Sequence, residues 1–185
     1  MTAQFREKLL YKGEEYYMAT EPLYPYLASK NIKFYAYSTA CWRGYKGRWI
    51  IENDKLYLVD LEAYLPIENN ELNERIVGLD YLFPGQNRVF ASWFTGEIRI
   101  PHGEMMRYVH QGYASLFEKE LFLKIKAGYV IGEYEKDNTH FYNNEKEMME
   151  RNMNDLLETL LGRKVRKKRS WLKRLCKWMK TRFGY

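Results

Sequence analysis

The feature that most constrains the fold is a series of short β-forming segments separated by turn residues through the first 140 positions. Aromatic residues make up 17% of the chain, including 17 Tyr and 5 Trp, and they favour pleated, half-buried surfaces. The pattern predicts an α+β, β-rich fold. We expect a mostly antiparallel sandwich or partial barrel of about eight to ten strands over residues 1–138, with C-terminal helices.

Local signals place several turns and faces within this β-rich region. Residues 55–65, KLYLVDLEAYL, alternate in part, and we expect the face that holds Tyr57, Val59, Leu61 and Ala63 to be buried. Turns are expected at Lys12-Gly13, Asn53-Asp54, Thr95-Gly96, His102-Gly103 and Ala127-Gly128. The turn at Thr95-Gly96 is expected to close a tight hairpin.

Aromatic and basic side chains interleave in the segment ACWRGYKGRWII. We expect a strand over KFYAYSTACW, a turn at RGYKG and a second strand from RWIIE, so that residues 42–49 form a hairpin. Trp42, Arg43 and Arg48 could stack bases and hold phosphates, or form a hot spot for a protein partner. The alternative is structural, with Trp side chains in the core and a solvated loop.

The periodicity changes to that of a helix at about residue 143. Apolar residues in NNEKEMMERNMNDLLETLLG recur at steps of three and four, which predicts a helix at about 144–161 that closes one face of the β-rich body. Asn144 followed by Glu147 is typical of a capping box, and Gly162 of a helix stop. We therefore expect one globular domain over 1–162, followed by a separate segment, 163–185.

The charge of the chain is divided between these two parts. Residues 163–185 contain eleven Lys or Arg and no Asp or Glu. Of the 30 basic residues, 19 therefore lie in 1–162 with all 24 acidic ones, a net charge of −5. Such an asymmetry indicates an interaction segment.

The basic segment is also amphipathic. A helix over about 170–182 would place its apolar residues on an arc of roughly 160° and most of its cations opposite. The face could pack on the body, lie on an anionic membrane, bind nucleic acid or enter a groove of an acidic partner protein. The residues we expect to make such contacts are Trp171, Lys173, Arg174, Leu175, Lys177 and Trp178.

Catalytic and metal signatures do not stand out in the sequence. His102, His110 and His140 lack metal-ligand spacing, and we predict neither a metal nor a cofactor. Cys41 is expected to be a buried thiol without a catalytic base. Four carboxylates could form an acid–base pair only if the fold brings them together: Glu97, Glu104, Glu118 and Glu120.

The sequence favours a non-enzymatic binding or adaptor protein whose basic C-terminal helix contacts an anionic partner or surface. One alternative is a nucleic-acid-binding protein that uses the basic segment and the hairpin 42–49. Another is a hydrolase-type enzyme with a carboxylate and histidine site in the β-rich body. Two cysteines without a CxxC pair, no signal peptide and no membrane-spanning run favour the cytoplasm, with or without peripheral attachment to a membrane.

Overall fold

The structure is a computed structural model that describes residues 2–65 and 76–141, together with 147, 149, 150, 152, 153 and 156. The chain divides into two compact units, Met1–Thr139 and His140–Tyr185. Within the described part of the first unit, nine strands and two short helices follow one another. The strands are β1 (Glu7–Tyr11), β2 (Glu14–Met18), β3 (Tyr45–Glu52), β4 (Lys55–Tyr64), β5 (Ile76–Val77), β6 (Val89–Phe90), β7 (Gly96–Arg107), β8 (Leu116–Lys126) and β9 (Tyr129–Asp137). The helices are α1 (Tyr24–Ser29) and α2 (Leu79–Leu82).

These strands form one mixed sheet in the order β2-β1-β3-β4-β9-β8-β7, with β5 and β6 paired to β4. The strand-rich character predicted from the sequence is confirmed. Most pairs are antiparallel, but β1 and β3 are parallel, so the chain crosses over through β2 and α1 between them. The edge strands β2 and β7 approach at one end, where the Ala19 N–H donates to the Arg99 carbonyl at 2.7 Å. The sheet is not closed.

Three hairpins form at the predicted positions because their turns hold consecutive residues in the left-handed region. Lys12 and Gly13 have φ of 52° and 84°, and they join β1 to β2 with Tyr11 opposite Glu14. The turns at Asn53-Asp54 and Ala127-Gly128 have the same character. Consecutive positive φ values match the twist of the flanking strands, which is why such turns close two-residue hairpins.

Two other predicted turns are wrong. Thr95-Gly96 does not close a hairpin, because β6 pairs with β4 while β7 pairs with β8. His102-Gly103 lies inside the continuous strand β7, where the register with β8 shifts between His102 and Met105. Gly103 has φ of 77°, so its glycine signal marks a bulge and not the end of a strand.

The prediction of a single buried face on β4 is also wrong. Leu56 and Leu58, from the face expected to be exposed, are buried, and so are Leu61 and Ala63 further along. Arg48 pairs with Asp60 and Trp49 pairs with Leu58, which leaves Val59 as an extra residue opposite no partner. This bulge moves the inward parity by one residue, so each half of β4 buries a different side-chain set.

The segment 33–42 is not a strand, and residues 42–49 are not a hairpin. An isolated bridge joins Ser38 and Cys41, and β3 begins at Tyr45 and includes Gly47. Gly44 has φ of +73°, and a Cβ there would lie 2.5 Å from the Tyr35 carbonyl oxygen. The chain doubles back on itself before β3, so the β-forming residues of this segment build a loop.

The core of the first unit lies between the inward faces of the strands. It is one cluster, and α1 contributes Leu27 to it. Pro25 in the first turn of α1 starts the helix without losing an internal hydrogen bond. The largest fully buried apolar side chains are Leu9, Met18, Leu23, Tyr45, Trp49, Leu56, Leu58, Ile98, Ile100 and Leu123.

In the second unit, the described residues between His140 and position 156 are helical. They fall partly within the helix predicted at 144–161, whose other residues lie outside the described part of the chain. The helix predicted at 170–182 lies entirely outside it. Among the described residues, no helix is both long enough and apolar enough to cross a membrane.

Candidate functional site

A pocket of about 630 Å³ opens in the first unit beside α1 and the loop that precedes β3. This volume is within the range of small-molecule sites. Tyr24 and Trp42 line it and are strongly exposed, at 62% and 56%. Apolar side chains including Leu27, Ile32 and Phe34 also line it, as do polar and charged ones: Thr2, Gln4, Glu21, Asn31, Lys33, Arg43 and Tyr45.

The central charged residue of the pocket is Arg43, whose side chain is only 5% exposed. Its Nε lies 3.1 Å from Oε1 of Glu7, an ion pair without an aligned hydrogen bond. Its Nη1 donates to the Phe5 carbonyl at 2.8 Å and to the Tyr113 hydroxyl at 2.6 Å. The same Nη1 lies 3.7 Å from Oε1 of Glu21. A buried guanidinium requires this kind of compensation.

Glu7 reaches Arg43 because of its position in β1. It shares the inward parity of β1 with Leu9 and Tyr11, so strand geometry carries its carboxylate into the interior. Its Oε2 accepts the indole N–H of Trp49 at 2.5 Å. A Cβ on Gly47 would lie 2.5 Å from that oxygen and 2.7 Å from the indole nitrogen. Glycine at this strand position therefore makes room for the carboxylate–indole contact.

Burial raises the pKa of Glu7 from 4.5 to about 7, although the Arg43 charge and the Trp49 hydrogen bond act in the opposite direction. Desolvation dominates because the carboxylate has lost its contact with water, and two protein partners replace only part of that hydration. The buried carboxyl thus titrates near neutral pH. It changes the charge beside Arg43 when it does so.

Tyr113, in the loop before β8, connects this pair to Glu21. Its hydroxyl accepts from Arg43 and donates to Oε1 of Glu21 at 2.9 Å. Burial raises the pKa of Tyr113 far above its ordinary value, so the hydroxyl keeps its proton and remains a donor. The network joins β1, the segment before α1, the loop before β3 and the loop before β8.

Besides Nε of Arg43, two polar atoms of the pocket residues have no hydrogen-bond partner among the described residues. They are Nη2 of Arg43 and the hydroxyl of Tyr45, and both are buried. Burial also raises the pKa of Tyr45 strongly, so its hydroxyl is protonated. A buried donor without a partner costs about 1–3 kcal/mol, and here both belong to residues that line one pocket.

The structure separates the residues that the sequence grouped as a hairpin site. Trp42 and Arg43 line the pocket, and Trp49 supports it from the core through Glu7. Arg48 does not line it; its side chain is 59% exposed and lies 3.9 Å from Asp60 on the neighbouring strand. The predicted contact residues of the basic segment lie outside the described residues: Trp171, Lys173, Arg174, Leu175, Lys177 and Trp178.

Sequence reasoning missed Glu7, Glu21 and Tyr113. Glu7 carried a usable signal, because an acid that shares the parity of Leu9 and Tyr11 in EKLLY faces inward if that strand is half-buried. Glu21 and Tyr113 lie in loops, where no periodicity predicts direction. Tyr113 reaches Glu21 across 92 positions of chain, and only the fold brings them together.

The carboxylates considered for acid–base chemistry have separate structural partners. Glu120 accepts from Nε of Arg99 at 2.8 Å, and Glu97 accepts from the Tyr134 hydroxyl at 3.1 Å. Oε2 of Glu118 accepts a hydrogen bond from the backbone N–H of Glu104 at 3.5 Å.

The described histidines lie in other surroundings. Nε2 of His102 is 3.2 Å from a carboxylate oxygen of Glu135, and Nδ1 of His110 is 2.9 Å from the Tyr108 hydroxyl. His140 packs on the ring of Phe141, with centroids 4.0 Å apart. Over the part of the chain that the structure describes, no three His, Cys, Asp or Glu residues are grouped so as to hold a metal ion.

No protein-family model matches this chain, and no curated protein or solved structure matches it either. The function is therefore inferred from the residues and their geometry.

Proposed function

We propose that this chain is a non-enzymatic binding protein whose β-rich unit holds a ligand in the pocket beside α1. The observation that carries this proposal is the buried Arg43 of a pocket of about 630 Å³ that is also lined by the exposed rings of Tyr24 and Trp42. Exposed aromatic rings beside a concave site with a few convergent polar groups are typical of ligand pockets.

The network around the pocket supports positioning more than reaction. Arg43 is held by Glu7 and Phe5 from one segment of the chain and by Tyr113 from another. Both buried phenols keep their protons because burial raises the pKa of Tyr45 and of Tyr113. A nucleophile or general base must lose its proton near neutral pH, and these phenols do not. Glu7, whose pKa is about 7, lies behind Arg43 and does not line the pocket.

The charge distribution favours a second contact, made by residues 163–185 with an anionic partner. Eleven cations without one acid in that segment are opposed to a net −5 elsewhere, and the amphipathic pattern suits an acidic protein groove or an anionic membrane surface. Nucleic acid is the alternative partner. We propose the cytoplasm as the compartment, in keeping with the free, buried thiol of Cys41.

The pocket is tested by blocking it. Ala28 is exposed on α1 and lines the pocket, so Ala28→Trp should fill the pocket and leave the core intact. Lys30→Trp is the matched control, because Lys30 is exposed at the end of the same helix but does not line the pocket. A fragment library screened by protein-observed NMR should shift the indole N–H signal of Trp42 in the wild type and in the control, and not in Ala28→Trp. Fragments that bind all three proteins equally would refute the pocket.

The second contact is tested by deleting residues 163–185 and measuring binding to anionic vesicles and to single-stranded RNA at two salt concentrations. We expect a folded, soluble protein that has lost vesicle binding. A phosphate-reading segment would lose affinity steeply with salt, whereas one that inserts Trp171 and Trp178 into lipid would keep part of it. If the truncated protein unfolds or aggregates, the segment belongs to the core and the proposal of a free contact element fails.

A further inference from the structure

The chemistry of the pocket restricts its ligand, and this inference rests on the pocket being a binding site. Its charged lining residues are Glu21, Lys33 and Arg43, and Glu7 lies directly behind Arg43. When Glu7 is ionised, two acids oppose two bases, and the site has no net charge that would favour an anion or a cation. An anion at Arg43 would also meet the carboxylate of Glu21, and a cation would meet two basic side chains. The balance favours a neutral ligand.

The backbone that carries the exposed aromatic ring of Trp42 is anchored by hydrogen bonds. The Trp42 N–H donates to Oε1 of Gln4 at 2.9 Å, and Nε2 of Gln4 donates in turn to the Thr39 carbonyl at 2.8 Å. The next residue, Arg43, is anchored in the buried network. A large aromatic side chain that is more than half exposed on an anchored backbone is a preorganised flat surface for a ligand ring.

The hydrogen-bonding groups of the pocket include donors and acceptors close together. Asn31 and Lys33 are exposed lining residues whose side chains can donate. The Glu21 carboxylate accepts from Tyr113 and is 30% exposed. A purely apolar ligand would remove water from these polar groups without replacing its hydrogen bonds. A ligand hydroxyl can donate and accept at once, so a ring that carries several hydroxyls satisfies both kinds of group.

We propose that this pocket binds a neutral carbohydrate, with a sugar ring stacked on Trp42 and its hydroxyls bonded to Glu21, Asn31 and Lys33. A pyranose ring combines an apolar C–H face, which suits the indole, with a rim of hydroxyls, which suits the paired charges. The pocket volume of about 630 Å³ accommodates a short oligosaccharide.

The test is a glycan array probed with the labelled full-length chain, followed by calorimetry with the neutral oligosaccharides that bind. Trp42→Ala should weaken the affinity about tenfold or more, Trp42→Phe should restore most of it, and Arg48→Ala should leave it unchanged.

The outcomes separate this inference from the proposed function. One outcome is that no neutral glycan binds, but fragments still shift the indole N–H signal of Trp42 in the wild type and not in Ala28→Trp. The carbohydrate assignment is then overturned, and the pocket is still supported as a binding site. If neither glycans nor fragments bind there, both are overturned. Acidic glycans that bind the wild type and Trp42→Ala equally well would be bound by the basic segment 163–185 and not by the pocket. If acidic glycans were the sole ligands, the assignment of a neutral carbohydrate would also be overturned.

Discussion

The buried Glu7 carboxyl should make the stability of the protein depend on pH in the direction opposite to that of a salt-bridged surface acid. Burial raises its pKa from 4.5 in the unfolded chain to about 7 in the folded one. Between these two values the folded state binds more protons than the unfolded state does, so stability falls as pH rises. The contribution of Glu7 is therefore complete below pH 4.5 and is lost as the pH passes through about 7.

The size of the effect follows from the two pKa values, whose difference corresponds to about 3 kcal/mol of unfolding free energy. Solvent does not screen this free-energy difference appreciably, because the Glu7 side chain is fully buried. The attraction of Arg43 and the hydrogen bond of Trp49 are already contained in the raised value. An effect of this size is a large fraction of the total stability of a typical domain.

The perturbation is Glu7→Gln, which keeps the side-chain length and an oxygen that can accept from Trp49 but does not titrate. Urea unfolding of both proteins should be measured from pH 4.5 to pH 8. The stability of the wild type relative to the variant should fall by about 3 kcal/mol across this range. The difference between the proteins isolates Glu7, since the other acids titrate in both.

Glu133→Gln is a suitable control, because its carboxylate is paired with Lys12 near the surface and the pKa of Glu133 is lowered. Its contribution has the opposite sign and is small at an exposed site. If the difference between wild type and Glu7→Gln is flat from pH 4.5 to pH 8, Glu7 is ionised throughout. The pairing with Arg43 would then outweigh desolvation, and the reasoning would be refuted.

Three further substitutions probe the same region and the core. Gly47→Ala should lower stability by about 1–3 kcal/mol and alter Trp49 fluorescence, since the new methyl enters the contact with Glu7; an unchanged melting temperature would contradict this. Arg43→Met should cost about 3–5 kcal/mol at pH 8 by leaving a buried carboxylate unpaired, and less at pH 5, where Glu7 is protonated; equal urea midpoint shifts at both pH values would count against it. Leu123→Ala should cost about 2–5 kcal/mol in urea unfolding, because this side chain is fully buried.

The parts of the fold that were predictable are those governed by a few neighbouring residues. Lys12-Gly13, Asn53-Asp54 and Ala127-Gly128 form turns because their own residues tolerate positive φ. The alternation of Leu123 and Ile125 with Lys124 and Lys126 at the end of β8 likewise shows which face is buried. Local conformational preference and side-chain parity are properties of short stretches, so the sequence reports them directly.

The errors arose where a distant partner decides the local structure. Val59 reverses the parity of β4 because β3 pairs with it around a bulge. The loop before β3 is rich in strand formers, yet it folds back with Gly44 close against the Tyr35 carbonyl. The parallel pairing of β1 with β3 also depends on a crossover, which no local pattern specifies.

The candidate site shows the same division between local and distant causes. The interleaved aromatic and basic residues of the segment 42–49 predict a binding site. Two of these residues, Trp42 and Arg43, do line the pocket. Their roles could not be read from that pattern: Arg43 is buried by Glu7 and Tyr113, which are distant in sequence, while Arg48 points to the surface.

By itself, the sequence determined the strand-rich class, most of the tight turns and the separation of a basic segment from an otherwise acidic chain, because turn propensity, alternation and charge are counted residue by residue. Only the tertiary structure decided which acid and which base are buried together. Glu7 pairs with Arg43 beside the space that Gly47 leaves open, and the pocket lies in front of this pair. This arrangement requires β1, β3 and the segments before α1, β3 and β8 to meet in space. Desolvation, which raises the pKa of Glu7, exists only once they have met.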